Sequence, residues 1–176
     1  MNNTINLENA HHVTLPNGLR AMLCHTQEAS ESFVSMAVRA GHFYDPNDCQ
    51  GLAHLLEHML FMGSRHLPKP NAINGFIEQH GGTINAWTGT EYTNYHFNCS
   101  GDAIAQTLPA FADMLRQPLF EEDALTNEIK NIHAEFEFKK KDDLRRLYQI
   151  HKETCNPEHP FAKFSVGNCD TFSQHE

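Results

Sequence analysis

Hydrophobic and polar positions change period several times along the chain, and each change marks an element. Apolar and polar residues flank Pro16-Asn17-Gly18, and Asn-Gly is the dipeptide that closes tight hairpins, so residues 12–15 and 19–23 are predicted to pair as strands. Another strand is expected over 32–40, closed by Gly41, after which Asp45-Pro46-Asn47 turns the chain. At Leu52, Leu55, Leu56 and Met59 the apolar spacing becomes three and four, which predicts a helix of about three turns with no breaker before Gly63. Residues 71–80 read as a short helix stopped by Gly81-Gly82, and 83–88 with 92–99 as a hairpin around Gly89. Asp102 is expected to cap a helix to about 117, with Pro109 as a kink or restart. Leu125, Ile129, Ile132 and Phe136 form an apolar stripe that predicts one long helix over 121–148, and Asn156-Pro157 opens an irregular tail.

Strands joined by hairpins, with helices grouped between them, predict an α+β fold: a mostly antiparallel sheet with helices on one face. No internal repeat or low-complexity linker interrupts residues 1–176, so a single domain is expected.

The chemistry lies in His-Leu-Leu-Glu-His at 54–58. Residues four apart on a helix stand one above the other, about 5–6 Å between Cβ atoms, so His54 and His58 are stacked with Glu57 on the same side. On a helical wheel these three oppose the leucines, which would pack into a core and turn the ionisable face to a cleft or to water. A solvated polar face needs no more than that. A metal site offers more: zinc takes neutral imidazole, a catalytic zinc keeps three protein ligands with one position open to water, and a neighbouring carboxylate can take that water's proton. The order is the inverse of His-Glu-x-x-His and belongs to the zinc-protease signatures. A third ligand must come from elsewhere. Glu128 and Glu135, seven residues apart, share one edge of the later helix's apolar stripe; His133 is a further candidate, and Glu121, Glu122 and Glu137 keep a plain surface charge row in play. Periodicity alone does not choose among them.

The run from Gly51 to Ser64, Gly-Leu-Ala-His-Leu-Leu-Glu-His-Met-Leu-Phe-Met-Gly-Ser, resembles the core signature of the insulinase, or pitrilysin, family of zinc metalloendopeptidases, the M16 inverzincins. Asn85-Ala86-Trp87-Thr88, then Glu91 to Phe97, Pro118-Leu119-Phe120, and Asn156 to Phe164 are similar to further landmarks in family order, so the resemblance covers about 13–168. It implies His54 and His58 as zinc ligands, Glu57 as the general base, Glu135 as the third ligand and Glu128 as an accessory acidic residue of the catalytic site. It also implies that substrate peptides add as a strand beside Asn85 and Ala86. The implied reaction is hydrolysis of peptide bonds in one step, with one Zn2+ per chain and no covalent intermediate. The same resemblance implies a fold shared with processing peptidases and with S-ribosylhomocysteine lyase. It further implies that this chain is the N-terminal part of an incomplete first domain, lacking the C-terminal half of the polypeptide, able to bind zinc and weakly active or inactive alone.

Two other classes use related frames. Non-catalytic subunits of processing peptidases usually lose motif residues, whereas His54, Glu57, His58 and Glu135 are all present; the lyase needs a catalytic cysteine, and the landmarks at 85–97 and 156–164 do not fit it. Composition narrows the partners. A chain of 176 residues, 40% hydrophobic and 20% charged, can bury a core, and its net charge of −9 argues against nucleic acid or an anionic membrane surface. Lys139-Lys140-Lys141 is too short to reverse that. Five cysteines without Cys-x-x-Cys spacing suit reduced thiols, and the start of the chain lacks a basic and apolar signal, so a cytoplasmic location is expected, or a periplasmic one if a signal has been removed.

Overall fold

The computed structural model describes residues 10–173. Contacts divide the chain into two compact units at the Ser30–Glu31 bond. In the first, β1 (Ala10–Thr14) pairs antiparallel with β2 (Arg20–Cys24) from Ala10 opposite Cys24 to Thr14 opposite Arg20. The turn is the expected one: Gly18, at φ +86°, donates to the Leu15 carbonyl at 2.9 Å, and Asn17 Oδ1 accepts from the Leu19 N–H at 3.1 Å.

The second unit is built on a three-stranded antiparallel sheet in the order β3 (Glu31–Val38), β5 (Thr93–Ser100), β4 (Ile84–Thr88). The two-residue period of β5 decides which face is inside. Thr93, Tyr95, Phe97 and Cys99 are buried, while Asn94, His96 and Asn98 look outward. Against the inner face pack α2 (Ala72–Gln79) and α3 (Ile104–Arg116), with Ile77, Phe111 and Met114 around a fully buried Phe97. Each such side chain contributes about 1.5–3 kcal/mol on leaving water. The α+β architecture with an antiparallel sheet is as expected.

Several details differ from the sequence pattern, each for a physical reason. Asp102 caps nothing: it lies inside a 3₁₀ turn, Gly101–Ala103, that leads into α3. Pro109 does not break α3, because Pro109 and Ala105 both face solvent and the carbonyl that loses its helical partner is left to water. The long helix is two, α4 (Glu122–Lys139) and α5 (Asp143–Glu153). Asp142 starts the second by accepting from the N–H groups of Leu144 and Arg145 at 2.9 and 3.1 Å, and the lysines before it stand where the negative end of α4 favours cations. The tail contains a short helical turn, α6 (Cys169–Phe172), closed by a capping box between Asn168 and Thr171. Among the described residues no helix is long and apolar enough to cross a membrane.

The helix carrying the histidine pair is α1 (Leu52–Leu60). Its leucines do not form the buried stripe that the wheel predicts: Leu55 and Met59 are buried, but Leu52 and Leu56 are 40% and 39% exposed, and Ala53, His54 and Leu60 are inside instead. The cause is a helix lodged between β4 on one flank and α4 on the other. Leu60 joins the sheet core, whereas Leu55 and Met59 join a second cluster with Cys49, Ile132 and Phe172. The first turn of α1 is capped from a distance. Buried Asp45 accepts from Gly51 N–H through Oδ2 at 2.8 Å and from Ala53 N–H through Oδ1 at 2.9 Å. Burial pushes the Asp45 carboxyl up, against the pull of those N–H groups. Replacing Asp45 with Ala leaves both donors buried and unpartnered, and urea unfolding is expected to show a loss of about 1–3 kcal/mol. An unchanged midpoint would mean that the cap contributes nothing.

Candidate metal centre

α1 places His54 and His58 one turn apart, their rings edge to face with centroids 4.7 Å apart. Glu135 reaches them from α4. Its Oε2 lies 3.6 Å from Nε2 of His54 and 3.6 Å from Nε2 of His58, and one donor atom from each of the three residues falls within 4.8 Å of the others. Among the described residues this is the group of histidine, cysteine and carboxylate side chains with the spacing to hold a metal ion.

The atoms behind the rings decide how the rings present themselves. His54 Nδ1–H donates to the Val166 carbonyl at 2.7 Å, and His58 Nδ1–H donates to Glu128 Oε2 at 3.0 Å. With the Nδ1 protons engaged, the neutral form of each ring carries its lone pair on Nε2, aimed at Glu135. Two imidazole nitrogens and one carboxylate oxygen are the donor set that zinc accepts, so the residues fit the group. Glu128 is itself held, since its Oε1 accepts from Asn131 Nδ2 at 2.8 Å. The electrostatics follow the partners. Burial pushes His54 down, and its bond to a neutral carbonyl does not restore it. Burial also presses on His58, but hydrogen bonds to Glu135 and Glu128 outweigh it and raise that ring. The His58 bond, helped by an ion pair with Lys139, holds the Glu135 carboxyl down at about 2.

Val166 reaches His54 because two glycines let the tail lie against the start of α1. Gly51 and Gly167 have φ of +96° and +79°, and a Cβ on Gly51 would stand 2.3 Å from Gly167 Cα. Ahead of them the tail is pinned by Lys163, whose Nζ donates to the Phe43 carbonyl at 2.9 Å, and by Phe164, whose N–H donates to Gln50 Oε1 at 2.6 Å.

Glu57 shares α1 with the histidines, and Thr88 Oγ1 donates to its Oε2. A cleft of about 930 Å³ opens over Glu57 and the three convergent side chains, bordered by Ala86, Trp87 and Thr88 of β4 and walled by the first turns of α5. β4 is an edge strand. The Thr83 carbonyl accepts from Asn98 N–H and Gly89 N–H donates to the Tyr92 carbonyl, so alternate pairing turns the main-chain groups of Ala86 and Thr88 away from β5, toward the free edge. Asn85 is placed differently from Ala86. Its main chain faces His96 of β5, it does not border the cleft, and its Oδ1 accepts from the Ala86 N–H at 2.9 Å. The other ligand candidate, His133, is turned to α6, where Nδ1 accepts from Cys169 N–H at 3.4 Å.

Four participants carry no sequence signal for the part they play here: the Val166 carbonyl, Asn131, Thr88, seen only within a landmark run, and Lys139, seen only within a lysine run. Any residue offers a carbonyl, and one hydroxyl or amide is visible only once its neighbour is known.

The family model described as Insulinase (Peptidase family M16) matches residues 20–162. Insulin-degrading enzyme-like 2 of Arabidopsis thaliana is 40% identical over 159 residues, 90% of this chain and 16% of its own length. The insulin-degrading enzyme of Homo sapiens is 38% identical over 88% of this chain and 15% of its own length. A crystal structure of pitrilysin superposes with a TM-score of 0.85 at 32% identity, covering 97% of this chain and 19% of that one. A protease from Helicobacter pylori shares the fold at a TM-score of 0.88 and 23% identity. The chain spans about a sixth of the length of these curated relatives.

The supports behind the rings are expected to set metal affinity. Glu128→Ala, which frees His58 Nδ1, and Gly167→Ala, whose Cβ would meet Phe172 Cζ at 2.4 Å and displace Val166, should each weaken zinc binding by about 10- to 100-fold in chelator competition. Affinity equal to that of the unaltered chain in both variants would show that these bonds do not orient the ligands.

Proposed function

The chain belongs to the insulinase family, peptidase family M16, and from that premise we propose that it carries the zinc centre and the general base of an endopeptidase acting on peptides or small proteins. The observation that supports this most directly is the convergence of His54 Nε2, His58 Nε2 and Glu135 Oε2 beside a fourth group, Glu57, that no ligand role uses. Zinc held there would polarise a scissile carbonyl and bring a water to a pKa of about 7.

The chain's own residues do the rest. Glu57 accepts the proton of a water as its oxygen bonds to the carbonyl carbon, then passes that proton to the amide nitrogen as the C–N bond breaks. The Ala86 carbonyl and the main-chain N–H and C=O groups of Thr88 face the free edge along the cleft, and an extended peptide can pair with them as an added strand. Asn85 supports that edge through its bond to the Ala86 N–H rather than facing the peptide. Glu128 acts as a positioning residue behind His58. Relatives carry this segment within chains about six times as long. The proposal therefore assigns full turnover to the complete polypeptide, with a C-terminal half completing the substrate site, and weak or no turnover to residues 1–176 alone.

Metal content and hydrolysis separate the roles. Glu57→Gln should retain one zinc per chain by elemental analysis yet lose about 10²- to 10⁴-fold in the hydrolysis of a quenched fluorescent peptide, while His54→Ala or His58→Ala should lose both. Hydrolysis at the unaltered rate in Glu57→Gln would remove the base from the mechanism. Robust multiple turnover by residues 1–176 would overturn the division of labour with the missing half.

A further inference from the structure

We infer that Thr88 is the positioning residue for Glu57: its hydroxyl ties one carboxylate oxygen to the sheet edge and leaves the other aimed into the cleft. The inference rests on the reading of Glu57 as the base. Glu57 projects from α1 and Thr88 ends β4, so the bond between Thr88 Oγ1 and Glu57 Oε2 fixes a flexible side chain of one element against another. A glutamate without such a tether samples several rotamers, of which few present an oxygen to the reacting water.

The donor is itself held. Thr88 is β-branched and stiff at χ1, and it sits opposite Thr93 in the β4–β5 ladder. Thr93, 2% exposed, donates to the Ala40 carbonyl at 2.8 Å and places its Oγ1 3.4 Å from Thr88 Oγ1. Thr88 is also one of the residues whose main-chain groups face the free edge of β4. A peptide paired along that edge would touch the same residue that holds the base, so seating the substrate and aiming Glu57 become one event. Thr88 is not one of the three side chains grouped to hold a metal, and its hydroxyl acts through Glu57.

The test uses the zinc-loaded chain in excess over a quenched fluorescent peptide, so that one turnover suffices. Thr88→Val keeps the shape and removes the hydroxyl; its saturating rate should fall about 10- to 100-fold, the effect of losing a hydrogen bond to a charged group, with the half-saturating concentration moved less than about threefold. Thr88→Ser should restore the rate to within about threefold, and zinc content and the thermal midpoint should stay constant across the set. An undiminished rate in Thr88→Val, a loss that Thr88→Ser shares, or a loss that tracks zinc would overturn the assignment. Side-chain coupling constants of Glu57 by NMR give a readout independent of hydrolysis: one rotamer in the unaltered chain and in Thr88→Ser, averaging in Thr88→Val. A single rotamer in Thr88→Val overturns the assignment by itself. Hydrolysis that survives in Glu57→Gln would sink the base, whereas its loss there with a full rate in Thr88→Val would sink only the role of Thr88.

Discussion

The second unit depends on one demand, that a nine-residue helix be packed on two flanks while its ionisable side chains stay hydrogen-bonded. α1 sits between β4 and α4, with Leu60 in one apolar cluster and Leu55 and Met59 in the other. An isolated helix of that length is marginal in water. Here burial on both sides and the distant Asp45 cap supply what propensity does not. The same packing brings His54 to 9% exposure, and a buried imidazole without partners would destabilise the fold by about 1–3 kcal/mol. The Val166 carbonyl removes that penalty for His54, and Glu128 orients the half-buried His58 in the same way. Satisfying these polar atoms and aiming the two rings at Glu135 are therefore one structural solution.

The asymmetry between the two rings follows from the kind of acceptor behind each. A neutral carbonyl orients His54 and leaves burial in control, so the ring favours its uncharged form, the form that offers a lone pair. A carboxylate behind His58 and another before it favour the charged form instead. Glu135 thus turns one oxygen to the two imidazoles and the other to Lys139, so the carboxylate is held from both sides.

The histidine pair and Glu57 were legible in the sequence because their geometry is local: four residues on a helix define it. Most of the sheet was legible for the same reason, since the alternation in β5 and the Asn-Gly turn are short-range signals. The third member of the cluster was not. Periodicity left Glu128, Glu135 and His133 open, and only the family resemblance chose Glu135. The structure shows why spacing could not decide: seven residues on a helix are about 10 Å of axial rise, enough for Glu135 to stand before His58 and Glu128 behind it. The Asp45 cap lies six residues ahead of its first donor, beyond the local window in which Asp102 looked convincing. The break between α4 and α5 was hidden because charged and apolar residues continue at helical spacing through it, and only Asp142 turns the backbone. Val166 could not be read at all, since a carbonyl has no identity in a sequence.

A third cluster residue on a separate helix ties the candidate site to the fold. Two histidines on one turn form wherever α1 forms, but Glu135 joins them only if α4 packs correctly against α1, through Ile132 and its cluster. An ion held there would favour the packed arrangement over every state in which the helices separate, by a free energy that grows as RT ln(1 + [L]/Kd). The same linkage runs in reverse: loosening the α1–α4 contact lowers affinity without touching a ligand. Glu57 escapes this dependence, since it shares a helix with the histidines and is tethered to the sheet edge rather than to α4. The cluster of two histidines and Glu135 is therefore coupled to helix packing and Glu57 to the strand edge, so that two different contacts of the same short helix hold the two parts of the candidate site.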